Sequence, residues 1–250
     1  MKHKTEISIL VVTHNHQDYI ENLILSLKKF NYTNVFFCDA KSTDGTLKIL
    51  QDHNLNILIK KKLEGFSKNN NDLIRHFQLD TKYYLLLNPD VYFDQDFIKT
   101  LHSEMESNDL IGISTPTLLY PNNNIQASWK NFPSVLYVIK KRFGITKTIN
   151  EKQSEKEYID WCLGACMLIS NKLLKEGRTL LDERYRLYCE DVDICFETKQ
   201  NGLLVKGVRN AVAYHHHNDM NSNRLFSKYN LWNLQSIFKF AFKWNLKYYG

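Results

Sequence analysis

The sequence predicts an α/β fold: a mostly parallel central sheet flanked by helices, with a further helical segment at the C-terminal end. Three observations carry this. Short β-branched and apolar runs recur along the first half; segments of helical period separate them; and each run ends in a loop rich in Asn, Asp, Ser or Lys. With 250 residues and 43% hydrophobic content, the chain suits one α/β domain or two small ones, with a core that needs no staples.

Ile7 to Thr13 is a continuous run of the kind found in a buried parallel strand, and Tyr19, Ile20, Leu23, Ile24 and Leu27 come next at helical spacing. Val35 to Cys38 reads as the next strand, and Thr46 to Leu50 begins a helix after the turn signal Asp44-Gly45. Strands at Ile57 to Lys60 and Tyr83 to Leu87 enclose a helix at Asp72 to Leu79. Strands alternating with helices imply a doubly wound sheet, whose ligands bind at the carboxyl ends of strands. Beyond Ile113 the pattern is less regular, through Thr115 to Pro121, a polar loop at Asn122 to Asn124 and a charged stretch from Asn150 to Glu157. The chain then returns to the sheet with Trp161 to Ser170 and Ala211 to His215, and Glu190 opens a helix that Asn201-Gly202 closes.

The formal charge of +6 suits nucleic acid, acidic lipid or a phosphorylated ligand, so its distribution matters. From Arg224 to Gly250 there are five Lys or Arg, nine aromatics and no acid, and a second basic cluster lies at Lys140, Lys141, Arg142 and Lys147. Such a tail fits a helix lying among lipid headgroups, or equally a packed helix with a solvated basic face. No run of about 18 apolar residues occurs, so membrane contact is expected to be peripheral. Five cysteines without a Cys-x-x-Cys pair, and a start without signal-peptide architecture, lead us to expect a cytoplasmic protein with reduced thiols.

The densest chemistry is Glu190-Asp191-Val192-Asp193, three carboxylates in four residues. They suit base catalysis, or merely complement the dipole of the helix they open. Asp39 ends a strand ahead of Ser42-Thr43-Asp44-Gly45-Thr46; there a carboxylate can accept a hydrogen bond from a pyrimidine imide, while Asp44 reads as a helix cap. Asn88-Pro89-Asp90 sets one carboxylate beyond the strand ending at Leu87, as a hard ligand for a divalent cation or as a plain turn. His215-His216-His217 comes after another strand, and a His with a carboxylate favours Mn²⁺, with Mg²⁺ the second choice.

In this order and spacing the motifs resemble family 2 glycosyltransferases of the GT-A fold, particularly the bacterial rhamnosyltransferase-like subgroup. The residues are Val11-Val12-Thr13-His14-Asn15, Cys38-Asp39 with Ser42 to Thr46, Gly65-Phe66-Ser67-Lys68-Asn69-Asn70, Asn88-Pro89-Asp90-Val91, Gly164-Ala165, and Asp182-Glu183 leading to Tyr188-Cys189-Glu190-Asp191-Val192-Asp193. The resemblance implies a domain over 1–223, with a nucleotide-binding half at 1–115 and an acceptor-side half at 116–223, and then the basic aromatic tail at 224–250. It implies that Thr13, Asn15, Asp39 and Asn70 hold the nucleotide of a nucleoside-diphosphate sugar. Asp90 would bind a divalent metal (Mn²⁺ or Mg²⁺) and the diphosphate, with His215 completing the site. Asp191 would be the base, with Glu190 its competitor, both kept ionised by the helix N-terminus. Trp161, Gly164 and Ala165 would shape the floor beneath donor sugar and acceptor.

The chain departs from the family pattern at His14 for Tyr, at Ala40 for Asn, and at Ser67 to Asn71 for a glycine-rich loop. The resemblance further implies an inverting transfer from dTDP-rhamnose or a UDP-sugar to a saccharide or lipid-linked acceptor in surface polysaccharide synthesis, at the inner membrane face. A sugar nucleotidyltransferase is disfavoured because the loop after the first strand has no glycine. A nucleic-acid module is disfavoured because Asp39, Asp90 and Asp191 would repel phosphates.

Overall fold

The computed structural model describes residues 5–132, 153–216 and 228–244. Four strands open the chain as expected: β1 (Ile7–Thr13), β2 (Val35–Asp39), β3 (Asn56–Ile59) and β4 (Tyr83–Leu87). The helices α1 (Ile20–Lys29), α2 (Thr46–Asp52) and α3 (Phe66–His76) connect them. Then come β5 (Val91–Tyr92), α4 (Phe97–Ser107), β6 (Ile111–Leu119), β7 (Trp129–Lys130), β8 (Trp161–Cys162), β9 (Cys166–Ser170), α5 (Glu190–Gln200), β10 (Leu204–His215) and α6 (Lys228–Lys243).

Eight strands form one sheet in the order β3-β2-β1-β4-β9-β6-β10-β5, while β7 and β8 pair separately. Pairing is parallel from β3 to β4 and between β6 and β10; β9 runs antiparallel to both β4 and β6, and β5 antiparallel to β10. This is the mostly parallel sheet that the sequence predicts. Successive residues of a strand face opposite sides, so β1 divides the core. Ile7, Ile9 and Val11 pack with Ile20, Leu23 and Ile24 of α1 and Phe97, Ile98 and Leu101 of α4. Leu10 joins Leu73 and Ile74 of α3 and Ile194 and Cys195 of α5 on the other face.

Two expectations need correction. The segment expected as a loop at Ser67 to Asn71 is helix, because α3 starts at Phe66 and not near Asp72. Its buried face is polar, which hides it from an apolar-period reading. Asn71 Oδ1 accepts from the Leu180 and Leu181 amides at 2.8 and 3.0 Å, and Asn70 Nδ2 donates to the Phe66 carbonyl at 3.0 Å. Gly65 is required where this helix begins, since a Cβ there would lie 2.6 Å from the Arg186 carbonyl oxygen. The second correction is to Trp161 to Ser170, which is two strands broken at Leu163 to Ala165 and not one. The basic cluster at Lys140 to Lys147, His217 and the ends of the 224–250 tail lie outside the described residues.

Candidate active site

The carboxyl ends of β1 and β2 meet in two loops sewn together by side chains. Thr43 N donates to Asn15 Oδ1 at 2.8 Å, Asn15 N to Ser42 Oγ at 3.0 Å and Gly45 N to Gln17 Oε1 at 2.7 Å. Asn15 sits in the left-handed region at φ 60°, a conformation Asn tolerates better than most residues. Asp39 is buried, accepting from Thr13 Oγ1 at 3.3 Å and from Ser42 N at 3.1 Å. Asp44 stands one residue ahead of the α2 N-cap, which is Gly45 and not Asp44 as expected, and its Oδ1 accepts from Thr46 N at 3.0 Å. Thr13, Asn15 and Asp39 therefore form one rigid rim. Asn70 is fully buried within α3, with its Oδ1 lacking a hydrogen bond.

Asp90 and His215 meet because β5 begins directly after Asp90 and pairs with the end of β10, placing His215 opposite Val91. Asp90 Oδ1 lies 3.2 Å from His215 Nε2, and both residues are buried. His215 Nδ1 donates to Gln126 Oε1 at 2.8 Å, which orients the ring with Nε2 toward Asp90. Burial alone would raise Asp90, but the His215 hydrogen bond and the nearby His215 and His16 charges outweigh it and hold the carboxyl below its usual range. His216 turns away, its ring 4.9 Å from that of Tyr19 and 5.2 Å from that of Tyr92. The imidazole and carboxylate fit a divalent cation of the Mn²⁺ type. A second group, Glu6, His102 and Glu106, also brings potential ligand atoms within 4.8 Å of one another. It stands at the opposite, amino end of β1, about 20 Å away by strand length, and Lys82 already contacts Glu106 there.

Glu190 and Asp191 open α5. Asp191 Oδ2 accepts from Gly164 N at 3.1 Å, and the next residue, Ala165, accepts at its carbonyl from Asn88 N at 2.8 Å. Two adjacent residues of one backbone thus join the Asp191 side of the site to the Asn88-Pro89-Asp90 turn. Gly164 packs directly on this side chain, since a Cβ there would meet the Asp191 Cβ at 3.4 Å, an ordinary contact distance. Trp161 borders the same floor, its ring centroid 5.1 Å from Lys130 Nζ.

The expectation that the helix N-terminus keeps both acids ionised is overturned. Burial, with the Asp191 charge behind it, pushes Glu190 up to about 8, and one of its oxygens is buried without a partner. Burial raises Asp191 as well, against the backbone amides of Val192 and Gly164 and the charge of Lys130. Both carboxyls thus lie above their usual range, and Asp191 is the one that backbone amides hold. Asp193 belongs elsewhere: two residues on, it points to the other side of α5 and is buried beneath α6.

Residues 8–178 match the Glycosyl transferase family 2. The chain belongs to that family. It is 29% identical over 247 residues to the "Rhamnosyltransferase WbbL" of Escherichia coli (strain K12), covering 93% of this chain and 91% of that protein. This family 2 glycosyltransferase is thus rhamnosyltransferase-like. Its GT-A fold also matches GalNAc-T7 solved with UDP, GalNAc and Mn²⁺, at TM-score 0.69 and 15% identity, covering 97% of this chain and 49% of that one. A mannosyltransferase from Pyrobaculum calidifontis, solved with GDP-Man and Mn²⁺, matches at TM-score 0.67 and 13% identity, covering 97% and 64%. The chain spans less than two thirds of either solved relative.

Sequence reading missed Gln126, His16 and Lys130 in this glycosyltransferase. Gln126 stands just after the polar loop at Asn122 to Asn124 with no motif around it, and only the fold brings it to His215.

Proposed function

We propose that this glycosyltransferase is an inverting enzyme that moves a sugar from a nucleoside-diphosphate donor to a saccharide or lipid-linked saccharide acceptor. The carrying observation is the backbone link from Asp191 through Gly164 and Ala165 to the Asp90 turn, which sets a base beside a diphosphate-binding corner. Thr13, Asn15 and Asp39 hold the nucleoside, while Trp161, Gly164 and Ala165 support the sugar. Asn70, buried one turn into α3, acts from beneath and not by direct contact. Ionised Asp191 takes the proton of the acceptor hydroxyl as that oxygen bonds to the anomeric carbon. The bond from this carbon to the diphosphate oxygen breaks on the opposite face, and the electron pair leaves with the nucleotide. Asp90 and His215 would hold a divalent cation, which when bound neutralises charge on the diphosphate. Protonated Glu190 keeps a second negative charge away from the nucleotide.

The similarity to a rhamnosyltransferase favours dTDP-rhamnose as donor, with a UDP-sugar next, and a role in bacterial surface polysaccharide synthesis. Among the described residues no helix is long and apolar enough to cross a membrane. Phe238 and Phe242, 66% and 86% exposed on α6, support peripheral contact with the inner membrane face. The test is thermal stability with Mn²⁺ plus dTDP or UDP, and then transfer from the matching sugar nucleotides. One nucleotide should raise Tm only with Mn²⁺; no rise with any nucleotide refutes the reading.

A further inference from the structure

The residues that aim the catalytic carboxylates are held in an unfavourable backbone shape. Tyr188 and Cys189, immediately before α5, lie in the left-handed region at φ 67° and 69°, and neither is glycine. Such a pair persists only where its surroundings over-determine it.

The surroundings come from α6, far away in sequence. Asp193, 1% exposed in the first turn of α5, accepts from Lys243 Nζ at 2.6 Å, Trp244 Nε1 at 2.7 Å and Tyr185 Oη at 3.0 Å. Lys243 also donates to Asp182 Oδ2 at 2.9 Å, at the start of the loop that ends in the strained pair. The same helix grips that loop along its length. Ser236 Oγ donates to the Leu187 carbonyl at 2.9 Å, Lys239 Nζ to the Arg184 carbonyl at 2.8 Å, and the Arg186 guanidinium lies 4.2 Å from the Trp232 ring. Phe240 and Trp244 close the joint against Phe196 of α5, with ring centroids 6.2 and 4.8 Å apart. On the far side the Arg186 carbonyl accepts from Phe66 N at 2.9 Å.

We propose that Lys243, Trp244 and Ser236 of the C-terminal helical segment are positioning residues, which act through Asp193 and the Leu187 carbonyl to hold Glu190 and Asp191 in place for transfer. The third acid of the motif is thus an anchor and not a reactant. This rests on the reading of Asp191 as base.

The test pairs amide hydrogen exchange over residues 186–194 with steady-state kinetics, on the full chain. Because Lys243→Met leaves Asp193 buried without its cation and endangers folding, the working variants are the double Asp193→Asn/Lys243→Met and the mild Ser236→Ala. Exchange at 186–194 should quicken and kcat should fall about 10-fold or more in the double variant, and less in Ser236→Ala. Donor Kd, measured with nucleotide and Mn²⁺, should stay within about twofold, and the single variant Lys243→Arg, which keeps the cation, should retain most of kcat. Unchanged exchange and kcat in both variants would overturn the proposal. So would a matched loss of kcat and donor affinity, since α6 would then merely support the fold. A wild-type chain inactive with every donor, yet showing the exchange difference, would sink the reading of the base and leave the anchoring in place.

Discussion

Asp90 and Glu190 are buried carboxylates and Asp191 a half-buried one, yet they hold protons in opposite ways. Asp90 faces the His215 imidazole and the charge of a second ring, His16, and is held below the ordinary carboxylate range. Glu190 and Asp191, at a helix N-terminus with no cationic side chain bonded to them among the described residues, are raised chiefly by burial, Glu190 to about 8. The contrast teaches that the company of an acid, more than its place on a helix, sets its chemistry. One corner is held anionic, while the other binds its protons more tightly than carboxylates usually do.

The sharpest way to break this contrast is Asp191→Asn, which should lower kcat by about 100-fold or more while donor Kd stays nearly unchanged. Near wild-type turnover would move the base elsewhere. Asp90→Ala should remove the cation-dependent part of donor affinity, so that EDTA no longer changes Kd in calorimetry. Gln126→Leu, which takes away the acceptor for His215 Nδ1, should weaken Mn²⁺ binding by about 10-fold with the ligands themselves intact.

The smallest effect concerns stability. Glu190 keeps its proton in the fold up to about 8, against an ordinary 4.5, so the unfolded chain releases that proton first as pH rises. Stability therefore declines from about pH 4.5 to about pH 8, by no more than about 1.4 kcal/mol per pH unit from this group. Glu190→Gln removes the decline, so its Tm advantage over wild type should be small at pH 5 and grow by pH 9. An advantage that does not change with pH would mean that Glu190 is already ionised in the fold.

The sequence announces the Asp191 corner by its density of acids and the Asp90 corner by its place after a strand, but it does not announce how either holds its protons, for a physical reason. Strand ends such as Leu87 and Thr13 are marked by local patterns, and the acids stand just beyond them. The raised proton affinity of Glu190 comes from burial, which no local pattern records. The polar buried face of α3 defeats an apolar-period search, and Asn70 reads as a loop residue while standing inside a helix. Gln126 and Lys243 are joined to His215 and Asp193 across 89 and 50 residues, so neither pairing is visible before the chain folds.

A single reversed strand has a lasting consequence for how such a molecule can diversify. Because β9 runs against β4, the segment entering β9 arrives where β4 leaves, and Gly164 and Ala165 reach the rim from the opposite direction to Asn88. Gln126, Gly164 and Ala165, which come between β6 and β9 in the chain, thereby reach the site without taking part in the register of β1, β2 and β4. Such a seam leaves the strands that carry Thr13 and Asp39 free to keep their pairing while residues arriving from the opposite side change.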